Sequence, residues 1–212
     1  MPSLSLEQLP LFRAATLRDG PRTAPRETRC GYRELTGRLV ELSGGRGTAC
    51  LSFLCSLVLE AQSLGEPVVF VASGDSVFYP PDVAANGVDL DTLAVVRPSC
   101  IRDACRAAHH LLHSGAFGMV ILDTGEESVP QGMLGRFAHL AEKNDTALVC
   151  VTERGLGSMV SLRVRTRLHR LAEGLFRCET EVIKDKRLGP GLSCPGPAPG
   201  SGEVYHAPAG LR

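Results

Sequence analysis

Six residues in the first quarter of the chain have the makings of a phosphate site. Gly44-Gly45-Arg46-Gly47-Thr48-Ala49 follows the strand-like run Arg38-Leu39-Val40-Glu41-Leu42 and opens a helix-like stretch that ends near Leu64. A strand, a glycine turn and a helix start form the physical plan of a phosphate-binding loop, because backbone N–H groups and the helix N-terminus favour an anion. Hydrolysis there also needs a lysine that reaches the β- and γ-phosphates and a hydroxyl on Mg²⁺. Here Gly47-Thr48-Ala49 stands where glycine, lysine and Ser/Thr belong. The turn is also about two residues tighter than the standard loop. Arg46 is a cation in the turn, but it precedes the helix. The expectation is a vestigial loop (Gly44, Gly45, Arg46, Gly47, Thr48) that joins strand to helix without nucleotide chemistry. Asp123 ends the run Met119-Val120-Ile121-Leu122-Asp123 and has the place of a magnesium-holding Walker B carboxylate. Without the metal's other ligand, a turn or cap role is the favoured reading.

Two further groups could touch partners. Arg163, Arg165 and Arg167 share one face of a strictly alternating stretch, with His169, and Arg170 follows just beyond. Such a face suits a phosphate backbone or an acidic protein surface. The bland alternative is charge that protects an edge strand from aggregation. No aromatic residue is interleaved, so base stacking is not supported. His109, His110 and His113 lie on one helix, and His109 and His113 are four residues apart. No glutamate completes a zinc-protease pattern, so a solvated histidine cluster near the helix end is expected. There is no GxSxG elbow, no CxxC pair and no evident cysteine–histidine couple. No catalytic residue, metal or cofactor is assigned.

The elements that would position these residues alternate. Pro67 to Ala72, Leu93 to Val96, Met119 to Asp123 and Ala147 to Val151 read as buried strands. Between them, helices are expected near Pro81 to Ala85, Cys100 to Leu112 and Met133 to Lys143. This predicts an α/β fold, a mostly parallel twisted sheet with helices on both faces. Ser161–Arg170 and Leu175–Lys184 change to period two and predict an antiparallel hairpin at the sheet edge. Three segments follow: an N-terminal arm over 1–36, a core domain over 37–188, and a disordered Pro/Gly-rich tail over 189–212.

Composition bounds the rest. Of 212 residues, 43% are hydrophobic, enough for a sizeable core. No long apolar run spans a membrane, and the start of the chain lacks the features of a signal peptide. A cytoplasmic protein is expected. Formal net charge is zero, so nucleic-acid contact would have to come from a local patch. The 8 cysteines are expected as reduced, mostly buried thiols.

Several stretches resemble the bacterial recombinase RecA core, over about Arg38 to Lys186. Gly87-Val88-Asp89-Leu90-Asp91-Thr92-Leu93 is the most specific match. Glu60-Ala61-Gln62-Ser63-Leu64-Gly65, Ser114-Gly115-Ala116 and Val182-Ile183-Lys184-Asp185-Lys186 add to it. Thr152-Glu153-Arg154 departs from that family's Asn-Gln pair, and Gly74-Asp75 stands where its catalytic glutamate belongs. A short RecA-like chain without nucleotide machinery resembles the ImuA/SulA group. That resemblance implies a non-catalytic accessory protein of the bacterial DNA damage response and error-prone translesion synthesis. Its implied partners are an ImuB-like protein and RecA, and self-association follows from the RecA-type arm. A SulA-like division inhibitor acting on FtsZ and a divergent RecA-like ATPase are the alternatives. In the arm, Gln8-Leu9-Pro10-Leu11-Phe12 resembles the motif that binds the bacterial sliding clamp. Leu9, Leu11 and Phe12 would fill an apolar pocket and Gln8 would supply a directed hydrogen bond. Packing of the same peptide on the chain's own core or on a neighbouring copy is the other reading.

Overall fold

The computed structural model describes residues 30–43, 49–73, 76, 78–172, 175–187 and 203–206, with backbone alone at 170–172, 175–177, 179 and 203–206. Gln8, Leu9, Leu11 and Phe12 of the arm lie outside the described residues, as do Gly44, Gly45, Arg46, Gly47 and Thr48 of the glycine turn.

Period-two burial builds the sheet. In β2 (Val68–Ala72) the alternate residues Val68, Phe70 and Ala72 enter one core, while Val69 and Val71 enter another on the opposite face. The same parity holds in β1 (Leu39–Ser43), β4 (Met119–Gly125) and β5 (Ala147–Thr152). Strands apolar on both sides need helices on both sides. The first core is closed by α1 (Tyr32–Leu35), α2 (Cys50–Ser63) and α3 (Pro80–Ala85). The second is closed by α4 (Ile101–Ser114) and α5 (Gln131–Lys143). Gly115 ends α4 in the left-handed region at φ 65°, where a side chain would be strained.

The strand order is β3-β2-β4-β5-β1-β6-β7-β8, with β3 at Leu93–Val96. All neighbours from β3 to β6 (Leu162–Ala172) run parallel. β7 (Leu175–Asp185) runs antiparallel to β6, as the alternating pattern predicts. The chain leaves β1 toward β2 on one side and returns to its other side as β6. This is the reversal of direction at which α/β sheets open a crevice beyond the strands' carboxyl ends.

Two features depart from expectation. The segment 189–212, expected to be disordered, contributes β8 (Glu203–His206), which pairs with Leu175–Cys178 of β7. Composition misses this because the stabilisation is a ladder of backbone hydrogen bonds supplied by the edge of β7. β6 also reaches farther than β1. Its pairing with β1 stops at Arg165, and Thr166 onward pairs with β7 alone. The hairpin therefore overhangs the carboxyl edge of the sheet. There Thr166 Oγ1 lies 3.3 Å from Cys50 Sγ, at the start of α2.

Gly87 to Leu93 leads into β3. Gly87 sits at φ 88°. Asp89 accepts from the Asp91 N–H at 3.0 Å to form a short 3-10 turn. Gln62 of α2 brackets Asp89 by donating to its carbonyl at 2.8 Å and accepting from its N–H at 3.1 Å. Of the described cysteines, Cys50, Cys55, Cys105, Cys150 and Cys178 are buried, while Cys100 is exposed. No helix among the described residues is long and apolar enough to cross a membrane.

Candidate functional site

The carboxyl edge of the parallel strands collects much of the buried polarity. Ser73, Asp123, Thr124 and Thr152 are all buried there. Asp123, fully buried at the bend of β4, accepts from Ser76 Oγ at 2.8 Å and from the Gly125 N–H at 3.1 Å. The second bond closes an Asx-type turn over its own chain, with Gly125 at φ 53°. Thr124 Oγ1 donates to the Val151 carbonyl at 3.0 Å and so ties β4 to β5.

Helix α2 starts at this edge without a side-chain cap. Its first flanking residue, Ala49, is 2% exposed. A buried methyl therefore stands where a magnesium-binding hydroxyl would be needed, and Thr48 stands in the lysine position.

A second polar assembly crosses β1, β6 and β7. Glu41, Arg163 and Lys184 occupy one row: Glu41 is opposite Arg163, and Arg163 is opposite Lys184. Glu41 is a carboxylate in the sheet, 1% exposed. Arg163 grips it, with Nε 2.7 Å from Oε1 as an ion-pair contact and Nη2 donating to Oε2 at 3.0 Å. The Leu156 N–H donates to Oε2 at 2.9 Å, and Ser43 Oγ to Oε1 at 2.8 Å. A buried charge so placed is tolerated because it is both paired and hydrogen-bonded.

The expected role of Arg163 as a surface cation is thereby altered, since its guanidinium neutralises an internal carboxylate. Arg165 and Arg167 do face solvent. Both approach Glu181 of β7, at 3.9 and 3.1 Å. Arg170 stands opposite Phe176 in the hairpin register.

The loop between β5 and β6 rests on three cations. Arg163 Nη2 donates to the Gly157 carbonyl at 2.9 Å, Lys184 Nζ to Ser158 at 3.0 Å, and Lys186 Nζ to Met159 at 3.2 Å. Burial, then Lys186 and Arg163, lowers the pKa of Lys184 from its ordinary value, and Glu41 opposes them. Beside this cluster, Arg38 makes a bidentate pair with Asp185 and donates to the Ser161 carbonyl at 2.9 Å. That pair stitches the start of β1 to the end of β7.

Sequence reasoning missed Glu41, Lys184 and Lys186 as site residues. The signal present was a lone glutamate inside an apolar strand.

The remaining candidates stay apart from both assemblies. His109 and His113 stack on α4 with ring centroids 6.2 Å apart. Among the described residues no group of three or more ligating side chains is placed to hold a metal ion. A cavity of about 640 Å³ opens among Tyr32, Glu66, Phe117 and Asn144, at the amino ends of β4 and β5. Burial, then Glu66 and Glu60, pushes the Tyr32 phenol up to about 12.

Fold and strand order together define a RecA-like α/β domain. The chain is 28% identical over 95 residues to Protein RecA of Fusobacterium nucleatum, across 45% of this chain and 25% of that protein. It is 32% identical over 95 residues to Protein RecA of Saccharopolyspora erythraea, across 45% and 27%. Over 98 residues it is 32% identical to Protein RecA of Rhodospirillum rubrum, across 46% and 26%. The match thus spans about a quarter of the length of these curated relatives. No family model matches the chain.

Proposed function

We propose that this protein is a non-catalytic, RecA-like accessory factor of the bacterial DNA damage response that acts in error-prone translesion synthesis through protein–protein contacts. The observation that carries the reading is the start of α2. A neutral threonine and a buried alanine occupy the two places where phosphoryl transfer needs an ammonium and a metal-binding hydroxyl. The bidentate Asp123 turn supports it, because both carboxylate oxygens serve local donors.

A RecA-like sheet without that chemistry is a scaffold for partners. By the ImuA-like resemblance these are an ImuB-like polymerase homologue and RecA, with Gln8, Leu9, Leu11 and Phe12 as a peptide for the sliding clamp. Affinity capture of the tagged full chain from DNA-damaged cells tests the reading. Recovery of a Y-family-like polymerase subunit is expected, and Leu11→Ala with Phe12→Ala should remove any clamp from the eluate. Recovery of FtsZ with no polymerase component would contradict it.

A further inference from the structure

We infer that the cavity at the amino edge of the sheet binds an alkyl polyamine, a small molecule that carries ammonium groups on a methylene chain. The inference stands apart from the accessory reading, because this cavity lies at the end of the sheet opposite the turn before α2.

The topology builds the site. Glu66 stands just before β2, Gly118 just before β4 and Asp145 just before β5, so three parallel strands start around one opening. The helices that join parallel strands run back and end at the same edge. Leu64, Gly115 and Asn144, the C-caps of α2, α4 and α5, all line the cavity. Each such helix end carries about half a negative charge, which favours a cation.

Side-chain charge has the same sign. Glu66 and Asp145 line the cavity against one guanidinium, that of Arg33. Among the described residues neither carboxylate makes an ion pair.

An independent group points the same way. Tyr32 is 3% exposed, yet its hydroxyl has no hydrogen-bond partner among the described residues. A phenol buried in this way costs stability until a partner meets it. It stands beside Gly118, where a methyl group would collide with both Glu66 Oε2 and Tyr32 Oη. Burial, then Glu66 and Glu60, keeps the phenol protonated, so its oxygen is a neutral acceptor next to a charged one. An ammonium is a donor only and is matched by such a set of acceptors.

Size and lining fix the class. A volume of about 640 Å³ suits a small molecule and exceeds what one ammonium fills. Leu64 and Phe117 supply an apolar wall for methylene groups, and two carboxylates match more than one ammonium. A metal ion fits less well, since no group of three or more ligating side chains is placed to hold one among the described residues.

The test is equilibrium dialysis of labelled spermidine against the full chain at fixed ionic strength. Saturable binding is expected. Glu66→Gln should weaken it about tenfold and Tyr32→Phe about threefold, the shares of a charge-assisted and a neutral hydrogen bond. Glu66→Asp should recover much of the affinity, which separates loss of charge from loss of fold. Glu181→Gln on the hairpin removes the same charge elsewhere and should bind as wild type. Magnesium chloride and Nα-acetyl-lysine methylamide, a single side-chain ammonium, are run as competitors and should displace spermidine poorly. Absence of wild-type binding, unchanged binding by Glu66→Gln, equal losses in Glu66→Gln and Glu181→Gln, displacement by magnesium at matched ionic strength, or displacement by the lysine amide at an equal ammonium concentration would each overturn the inference.

Discussion

Two carboxylates buried in one sheet, in strands separated by β5, have different surroundings. Asp123 bends back on its own strand and accepts from a hydroxyl and an amide within the carboxyl edge. Glu41 reaches sideways, meets a guanidinium from β6 and an amide from the loop before β6, and shares its row with Lys184 of β7. The first is the carboxylate that a nucleotide site would use, and here it serves a turn. The second has no place in the phosphate-loop plan, yet it organises a cationic cluster that joins three strands. The buried polar contacts of this sheet thus gather in two places, the carboxyl edge at Asp123 and the hairpin face at Glu41.

The largest effect should come from breaking the Glu41–Arg163 pair on one side. Arg163→Met leaves a charge in the sheet without its counter-ion and should cost about 3–5 kcal/mol of stability. Adding Glu41→Gln to that variant should recover much of the loss, and a double-mutant cycle in chemical denaturation measures it. A cost under about 1 kcal/mol for the single variant would equate the two carboxylates and remove the contrast.

Asp123→Asn keeps the shape and one acceptor, so the expected cost is smaller, about 1–2 kcal/mol in the same assay. A larger loss would mean that its charge matters as much as that of Glu41.

Outside both regions, Tyr32 supplies a pH signature. Its phenol keeps its proton to about 12 in the folded chain against an ordinary value of 10.0. Above pH 10 the unfolded chain releases that proton while the folded chain holds it, so stability falls as pH rises toward about 12. Denaturation midpoints at alkaline pH should show this slope, and Tyr32→Phe should reduce it.

Arg165→Ala with Arg167→Ala should change stability least, by under about 1 kcal/mol, because both pair with Glu181 in solvent. Thermal melts of this variant would sharpen the comparison by separating the exposed half of the arginine row from Arg163.

Much of the fold was legible because strands such as Val68–Ala72 are apolar on both faces and can only be buried. The alternation at Arg163, Arg165 and Arg167 likewise predicts a hairpin with one charged face. That β6 lies beside β1 was not legible, since it depends on a crossover between strands over a hundred residues apart, and with it went the partner of Arg163. β8 was hidden for a related reason. Its four residues sit in a Pro/Gly-rich tail, and the ladder that orders them belongs to β7. At the candidate site, the missing lysine and hydroxyl could be read from residue identity alone. The role of Lys184 and Lys186 needed the loop carbonyls that they hold.

The most direct measurement is calorimetric titration of the purified full chain with Mg-ATP. The account predicts no saturable uptake, because the turn before α2 lacks an ammonium at position 48 and a hydroxyl at position 49. Tight magnesium-dependent binding that disappears on changing Gly47 to a bulkier residue would contradict it.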